Sequence, residues 1–287
     1  MIALEANQLC HHFGGVQAVQ DLDLQVREGE TLAIIGPNGA GKTTLFNLLA
    51  GTIQAQAGKV SLHGLDISRF GPERRAGLGL IRSFQHGRTF ANLSAEDNLL
   101  LGAHGRRLAG RAGLGGVLVE LAEALFPFRP FRAEEAWLRQ EARTLVQPFG
   151  ERLAPHLQRP AYSFSYANRR RIEIARALAA HPRVLLLDEP TAGMNPAETL
   201  EMIAFLRTLK QDGLTMVIIE HKLPLIMQLS DSVIVMDDGR KIAEDLPERI
   251  QLDPRVIEAY LGPNHGTDAD NAEEEPHDHQ PADLECH

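Results

Sequence analysis

The stretch TLAIIGPNGAGKTTLFNLLAG, residues 31–51, constrains the fold more than any other part of the chain. A short apolar run meets a loop with glycines at 36, 39 and 41, and a run with helical spacing follows that Gly51 can stop. GPNGAGKTT matches GxxxxGK followed by Ser or Thr. A strand feeding such a loop, which then opens a helix, is the arrangement the pattern needs. Successive N–H groups converge on one spot and the helix N-terminus adds its positive end, so the loop cradles an anion. The expected nucleotide-binding set is Gly36, Pro37, Asn38, Gly39, Ala40, Gly41, Lys42, Thr43 and Thr44. The three glycines let the backbone approach phosphate oxygens. Lys42 is expected to reach the β- and γ-phosphates, and the Thr43 hydroxyl to ligate Mg²⁺.

VLLLDEP, residues 184–190, supplies the complementary part. Its continuous apolar run is that of a strand covered on both faces. At its end, Asp188 is suited to hold Mg²⁺ through water, and Glu189 to orient or deprotonate an attacking water. The two stretches together point to a nucleoside triphosphatase.

The remaining segments fit an α/β order. LEANQLCHHF (4–13) and LDLQV (22–26) read as strands with a turn at Gly14–Gly15, and KVSLHG (59–64) as another. From about residue 94 the pattern becomes helical. Ser94 with Asp97 three residues on is a capping-box-like start, and LVELAEALFPF (118–128) and AEEAWLRQEARTLVQPF (133–149) have helical spacing. GRRLAGRAGLGG (105–116) reads as a loop. RRIEIARALAAHP (170–182) is a helix, and TMVIIE (215–220) a buried strand. In NPAETLEMIAFLRTLKQDG (195–213), Asn195 can cap a helix, Glu198 can close a capping box, and Met202, Phe205, Leu206 and Leu209 share a face. VIVMDDGRKIAE (233–244) reads as a hairpin around Asp238–Gly239. The expected fold is α/β: a P-loop core with an N-terminal antiparallel β subdomain and an inserted helical lobe over about 94–160. Residues 1–262 form the nucleotide-binding domain, and 263–287 a disordered acidic tail.

Charge bears on partners. The net charge is −9, and the segment 264–287 holds eight Asp or Glu and no Lys or Arg, which leaves the body at about −1. A body near neutrality has no global field for nucleic acid. The tail is too polar to offset its ordering entropy by burial. No run is long and apolar enough to span a bilayer, and the start MIALEANQLC lacks the pattern of a secretory signal. The two cysteines, Cys10 and Cys286, lie at opposite ends with no zinc spacing, which fits a reducing setting.

Five stretches in order carry a resemblance. They are GPNGAGKTT, SFQHGRTF, SFSYANRRRIEIARALA, LDEPTAGMNP and IIEHK. The chain resembles the ATP-binding cassette family over residues 1 to about 262. The resemblance implies ATP and Mg²⁺ as ligands. It implies Phe13 stacked on adenine, Gln85 sensing Mg²⁺ and the γ-phosphate, Glu189 and His221 at the attacking water, and Asn195 in the D-loop. It implies that Ser165, Tyr166, Ala167 and Asn168 form a signature loop facing ATP held by a second cassette subunit, identical or related. FGGVQAV, IIEHKLPLIMQLSD and PRVIEAYLG narrow the resemblance to ATPase subunits of bacterial uptake systems for branched-chain and other apolar amino acids. Urea and amide importers and a lipopolysaccharide-export ATPase are close to these. The implied partners are integral membrane permease subunits and, indirectly, a periplasmic or extracellular binding protein. The implied location is the cytoplasmic face of the bacterial inner membrane.

Two departures from the family pattern stand out. The signature reads Phe-Ser-Tyr-Ala-Asn in place of Leu-Ser-Gly-Gly-Gln, so Ala167 puts a methyl where the family has a bare backbone. On this reading the methyl crowds the partner's phosphate and favours a weakly hydrolysing member of an asymmetric pair. Lys222 follows the switch histidine where relatives commonly carry Asp, and is expected to act on the surroundings of His221. The arginines at 169–171 are expected mostly in solvent. The other class of reading, a cassette acting on nucleic acid, lacks the tandem cassettes or coiled coils that go with it.

Overall fold

The alternation of short apolar runs with helical runs produces two sheets and the helices that cover them. The structure is a computed structural model that describes residues 1–83, 89–110 and 129–261. Gln85, the helix expected over 118–128 and the acidic tail lie outside the described residues.

Strands β1 (Ile2–Phe13) and β2 (Val16–Arg27) are followed by β3 (Thr31–Ile35) and helix α1 (Lys42–Ala50). Next come β4 (Ala57–Leu62), β5 (Leu65–Asp66), α2 (Pro72–Gly77) and β6 (Leu80–Arg82). Helices α3 (Ala95–Gly110) and α4 (Arg129–Val146) lead through short 3₁₀ turns to α5 (Tyr166–Ala179) and β7 (Val184–Asp188). Then follow α6 (Pro196–Gln211), β8 (Thr215–Ile219), α7 (Leu223–Leu229), β9 (Ser232–Asp237) and β10 (Arg240–Asp245). Helices α8 (Pro247–Ile250) and α9 (Pro254–Leu261) close the described chain.

One sheet has the order β2-β1-β4-β5 and is antiparallel throughout. The other has the order β10-β9-β3-β8-β7-β6. It is parallel from β9 to β6, with β10 added antiparallel at one edge. Period-two alternation sorts its central strands onto two cores. Val184 and Leu186 of β7 and Val217 and Ile219 of β8 face α1 and the antiparallel sheet. Leu185, Leu187, Met216 and Ile218 face α5 and α6. Every residue of β3, β7 and β8 is buried, which is why these strands read as unbroken apolar runs.

Local chemistry accounts for the element ends. Asn195 caps α6 and Glu198 completes the box, as expected. Asp238 and Gly239 both take positive φ, the requirement of a tight type I′-like hairpin turn. Ser94 caps α3 through the Asp97 N–H at 3.0 Å, but its hydroxyl donates back to the Asp97 carboxylate. The segment 105–116, expected as a loop, is helical as far as Gly110. Arginine, leucine and alanine between the glycines favour helix enough to carry α3 through them.

Candidate functional site

The C-terminal ends of the parallel strands gather the expected chemistry, as open α/β sheets do. The loop after β3 turns through Gly36, Gly39 and Gly41, all at positive φ. A Cβ on Gly36 would overlap the carbonyl oxygen of Met236, and one on Gly41 that of Ala18, so packing and φ both require glycine there. Lys42 is 7% exposed, and its Nζ donates to the carbonyls of Gly36 and Pro37, both at 2.8 Å. Burial lowers its pKa, and the charges of Glu189 and Asp188 oppose that shift. Thr43, next on the helix, is exposed, while Ala40 is buried.

Asp188 ends β7 fully buried. Its Oδ2 pairs with Arg82 at 2.8 Å. Its Oδ1 has no hydrogen-bond partner among the described residues. An orphaned buried carboxylate oxygen beside a phosphate loop, with the exposed Thr43 hydroxyl on the next element, is a donor set that suits a hard divalent cation. Glu189 follows at φ 47°, a region costly for a residue with a side chain. Its N–H is held by the Ile219 carbonyl at 2.9 Å. His221, beyond β8, brings Nε2 to 3.1 Å from Glu189 Oε1. Two residues 32 apart in sequence thus meet because β7 and β8 are neighbours.

The signature segment begins α5. Ser165 is its N-cap, with Oγ accepting the Asn168 N–H at 3.3 Å, and Ser165 and Tyr166 are exposed. Ala167 differs from expectation. It is 3% exposed and packs into its own chain's core, because the first turn of α5 lies against that core. Its methyl does not stand on the outer face. The arginines also differ from expectation. Arg170 and Arg171 are 4% and 1% exposed. Arg170 donates to Glu173 at 2.9 Å and to the carbonyl oxygens of Asp188 and Glu189. Arg171 donates to Asn168 and Glu201. The polar strand end and α6 supply acceptors that make burial of these cations tolerable.

Asn195 lies in the cap of α6, within the turn that follows Glu189. Lys222 sends its ammonium to the carbonyls of Thr191 and Met194 and to the Thr199 hydroxyl, all on or just after that turn. Phe13, at the end of β1, is 53% exposed and edge-on to His11, so it is not a core phenylalanine. Arg82, Arg170 and Thr191 escaped sequence reading because their partners are distant along the chain. Tyr260 escaped it too. Burial raises its pKa, and the nearby Gly36 backbone opposes the rise, which places the end of α9 near the phosphate loop.

A parallel sheet with this loop and these paired carboxylates at its C-terminal edge defines a P-loop nucleoside triphosphatase. Residues 19–192 match the family model described as ABC transporter, and the chain belongs to that family of ATP-hydrolysing cassettes. Residues 240–262 match a second model, described as branched-chain amino acid ATP-binding cassette transporter. The chain is 36% identical over 260 residues to the high-affinity branched-chain amino acid transport ATP-binding protein LivG of Salmonella typhimurium, covering 90% of this chain and 97% of that one. It is 37% identical, with the same coverage, to the corresponding protein BraF of Pseudomonas aeruginosa. Among solved structures, the ADP conformation of an ATP-binding cassette of an ABC transporter aligns with a TM-score of 0.76 and 28% identity. That alignment covers 92% of this chain and all of the other.

Proposed function

We propose that this chain is the ATP-hydrolysing subunit of a membrane importer for branched-chain or related amino acids. The observation that carries the chemistry is the Glu189–His221 contact at 3.1 Å, at the strand ends beside the phosphate loop. The match of residues 240–262, outside the catalytic motifs, supports the substrate class.

Lys42 and the loop N–H groups of residues 36–44 hold the phosphates of ATP, and Phe13 takes the adenine. Thr43, Asp188 and Gln85 hold Mg²⁺, which neutralises phosphate charge when bound. Glu189 accepts the proton of the attacking water, and His221 keeps the carboxylate aimed. Ser165 and the Tyr166–Asn168 backbone face ATP on a second cassette subunit, and Asn195 lies in the turn between the two sites. No helix among the described residues is long and apolar enough to cross a membrane. On this reading the chain acts with integral permease subunits, at the cytoplasmic face of the inner membrane, and with a substrate-binding protein indirectly.

Glu189→Gln tests the chemistry. It keeps the shape and hydrogen-bonding reach of the side chain but cannot accept the proton. Mg·ATP affinity is expected to stay within about twofold while turnover falls by about 10²-fold or more. Turnover at the unaltered rate would remove Glu189 from its role. Uptake of leucine by vesicles holding the reconstituted complex tests the substrate class, with urea as the contrast.

A further inference from the structure

The turn Thr191–Met194 is held from two sides by side chains that the catalytic roles above do not use. On one side is Lys222, just beyond His221. Its three ammonium protons have three acceptors: the Thr191 carbonyl at 2.9 Å, the Met194 carbonyl at 3.2 Å and the Thr199 hydroxyl at 2.9 Å. All three are uncharged oxygens. A carboxylate at this position could donate to none of them and would face two carbonyl oxygens, so the geometry selects an ammonium. On the other side is Tyr166, the second residue of the signature. Gly193 sits at φ 69°, and a Cβ there would lie 2.9 Å from Tyr166 Cε1 and 3.2 Å from Cδ1. The ring packs where only glycine leaves room.

The same turn is stitched to the end of β8 elsewhere. The Thr191 hydroxyl bonds the buried Glu220 carboxylate, whose other oxygen accepts the His221 N–H at 2.9 Å. The Thr191 carbonyl also closes the turn on the Met194 N–H at 3.2 Å. Residues on both sides of His221 thus grip one four-residue turn, while His221 itself reaches Glu189.

We propose that Lys222 is a positioning residue whose ammonium locks the turn 191–194 to the strand end carrying His221, so that this turn seats Tyr166 and sets the exposed signature face. Lys222 touches no reacting atom. Its influence on hydrolysis passes through the turn, which ties this chain's own water-activating pair to the surface it offers a second subunit. The kinetic consequence rests on the ATPase reading above, whereas the lock itself does not.

The test has two arms, both on the full chain. The first is hydrogen exchange without nucleotide. In Lys222→Met, which keeps the stem and removes the donors, the amides of 192–194 are expected to exchange about tenfold faster, with β3 and β7 unchanged. Unaltered protection of the turn overturns the lock, whatever the chain hydrolyses. The second arm is kinetic. Lys222→Met is expected to lower kcat about tenfold with KM for Mg·ATP and ADP affinity within about twofold, and Lys222→Arg to recover most of the loss. Tyr166→Ala is expected to lower kcat as well, and the double variant to be no worse than the poorer single. An unaltered kcat in Lys222→Met, multiplying losses in the double variant, or ADP affinity that falls in step with kcat overturns the proposed path. Absence of ADP binding by the unaltered chain would instead count against the nucleotide site, and the exchange arm would still decide the lock.

Discussion

Arg170 shows what a single residue contributes beneath the site. It lies in a triple-arginine run that sequence reading assigns mostly to solvent, yet it is buried under the end of β7. Its guanidinium pairs with Glu173, itself 2% exposed, and caps the carbonyls of the two catalytic-strand carboxylates' own backbone. Removing one partner of a buried pair leaves the other uncompensated, which costs more than the pair ever contributes. Arg170→Met is therefore expected to lower unfolding free energy by about 3 kcal/mol. Arg169→Met, one position back and only half-buried, is expected to change it by less than about 0.5 kcal/mol. Urea unfolding of both variants distinguishes them. Equal midpoints would mean that Arg170 is carried rather than needed. The same logic explains the buried Arg75, whose guanidinium donates to Leu48 and Leu49 at the C-terminal end of α1. There a cation meets last-turn carbonyls, where the helix end is negative and, beyond the Gly51 N–H on Leu48, few backbone donors remain.

At the scale of elements, Glu96 joins α3 to its neighbours. It is fully buried, and Arg139 and Arg143 of α4 and Gln158 converge on its carboxylate. Burial alone would raise the Glu96 pKa, but these three hydrogen bonds outweigh it and hold the group below its ordinary range. A carboxylate with a depressed folded pKa contributes stability above its unfolded pKa and loses it as pH falls through the folded value. Glu96→Gln is expected to destabilise the chain by about 2 kcal/mol between about pH 5 and about pH 8, with the difference shrinking below about pH 4. Thermal melting across that range measures it, and a difference that persists unchanged into acid would show that charge is not the cause. This junction was not legible in sequence, since Glu96 reads as an ordinary first-turn acid. What was legible was local or periodic. The strand–loop–helix of residues 31–51, the Asn195 box and the buried runs at 184 and 215 each announce themselves within a few residues. β6 is three residues long and, among the described residues, joins the sheet only through β7, and Lys222 and Tyr166 acquire meaning only once their elements pack. The inward turn of the Ala167 methyl likewise depends on how α5 seats against the core, which the motif alone does not fix.

At the scale of the whole molecule, the proposed function gives one chain two half-sites. The loop 36–44 with Glu189 and His221 forms one, and the exposed Ser165–Tyr166 face of α5 forms the other. With the Ala167 methyl folded inward, that methyl is not on the face that would carry the obstruction expected of a weakly hydrolysing partner, and the exposed Tyr166 ring is the bulky group there. In a pair of identical chains related by two-fold symmetry, each nucleotide would meet one half-site from each chain. Two inactive variants should then complement. Lys42→Ala abolishes the chain's own phosphate loop but leaves its signature face, and Ser165→Arg does the reverse. Mixed and reassembled, half of the pairs contain one of each. Each such pair keeps one intact composite site, built from the loop of the Ser165→Arg chain and the signature of the Lys42→Ala chain. The expected turnover of the mixture is about a quarter of the unaltered pair, against near-background rates for either variant alone. Arginine at 165 stays in solvent in the separate chain, so ADP binding by the Ser165→Arg variant is expected to be unaltered. If the mixture shows only the mean of the two separate rates, hydrolysis does not draw on a second chain's signature, and the pairing of loop with signature across subunits falls.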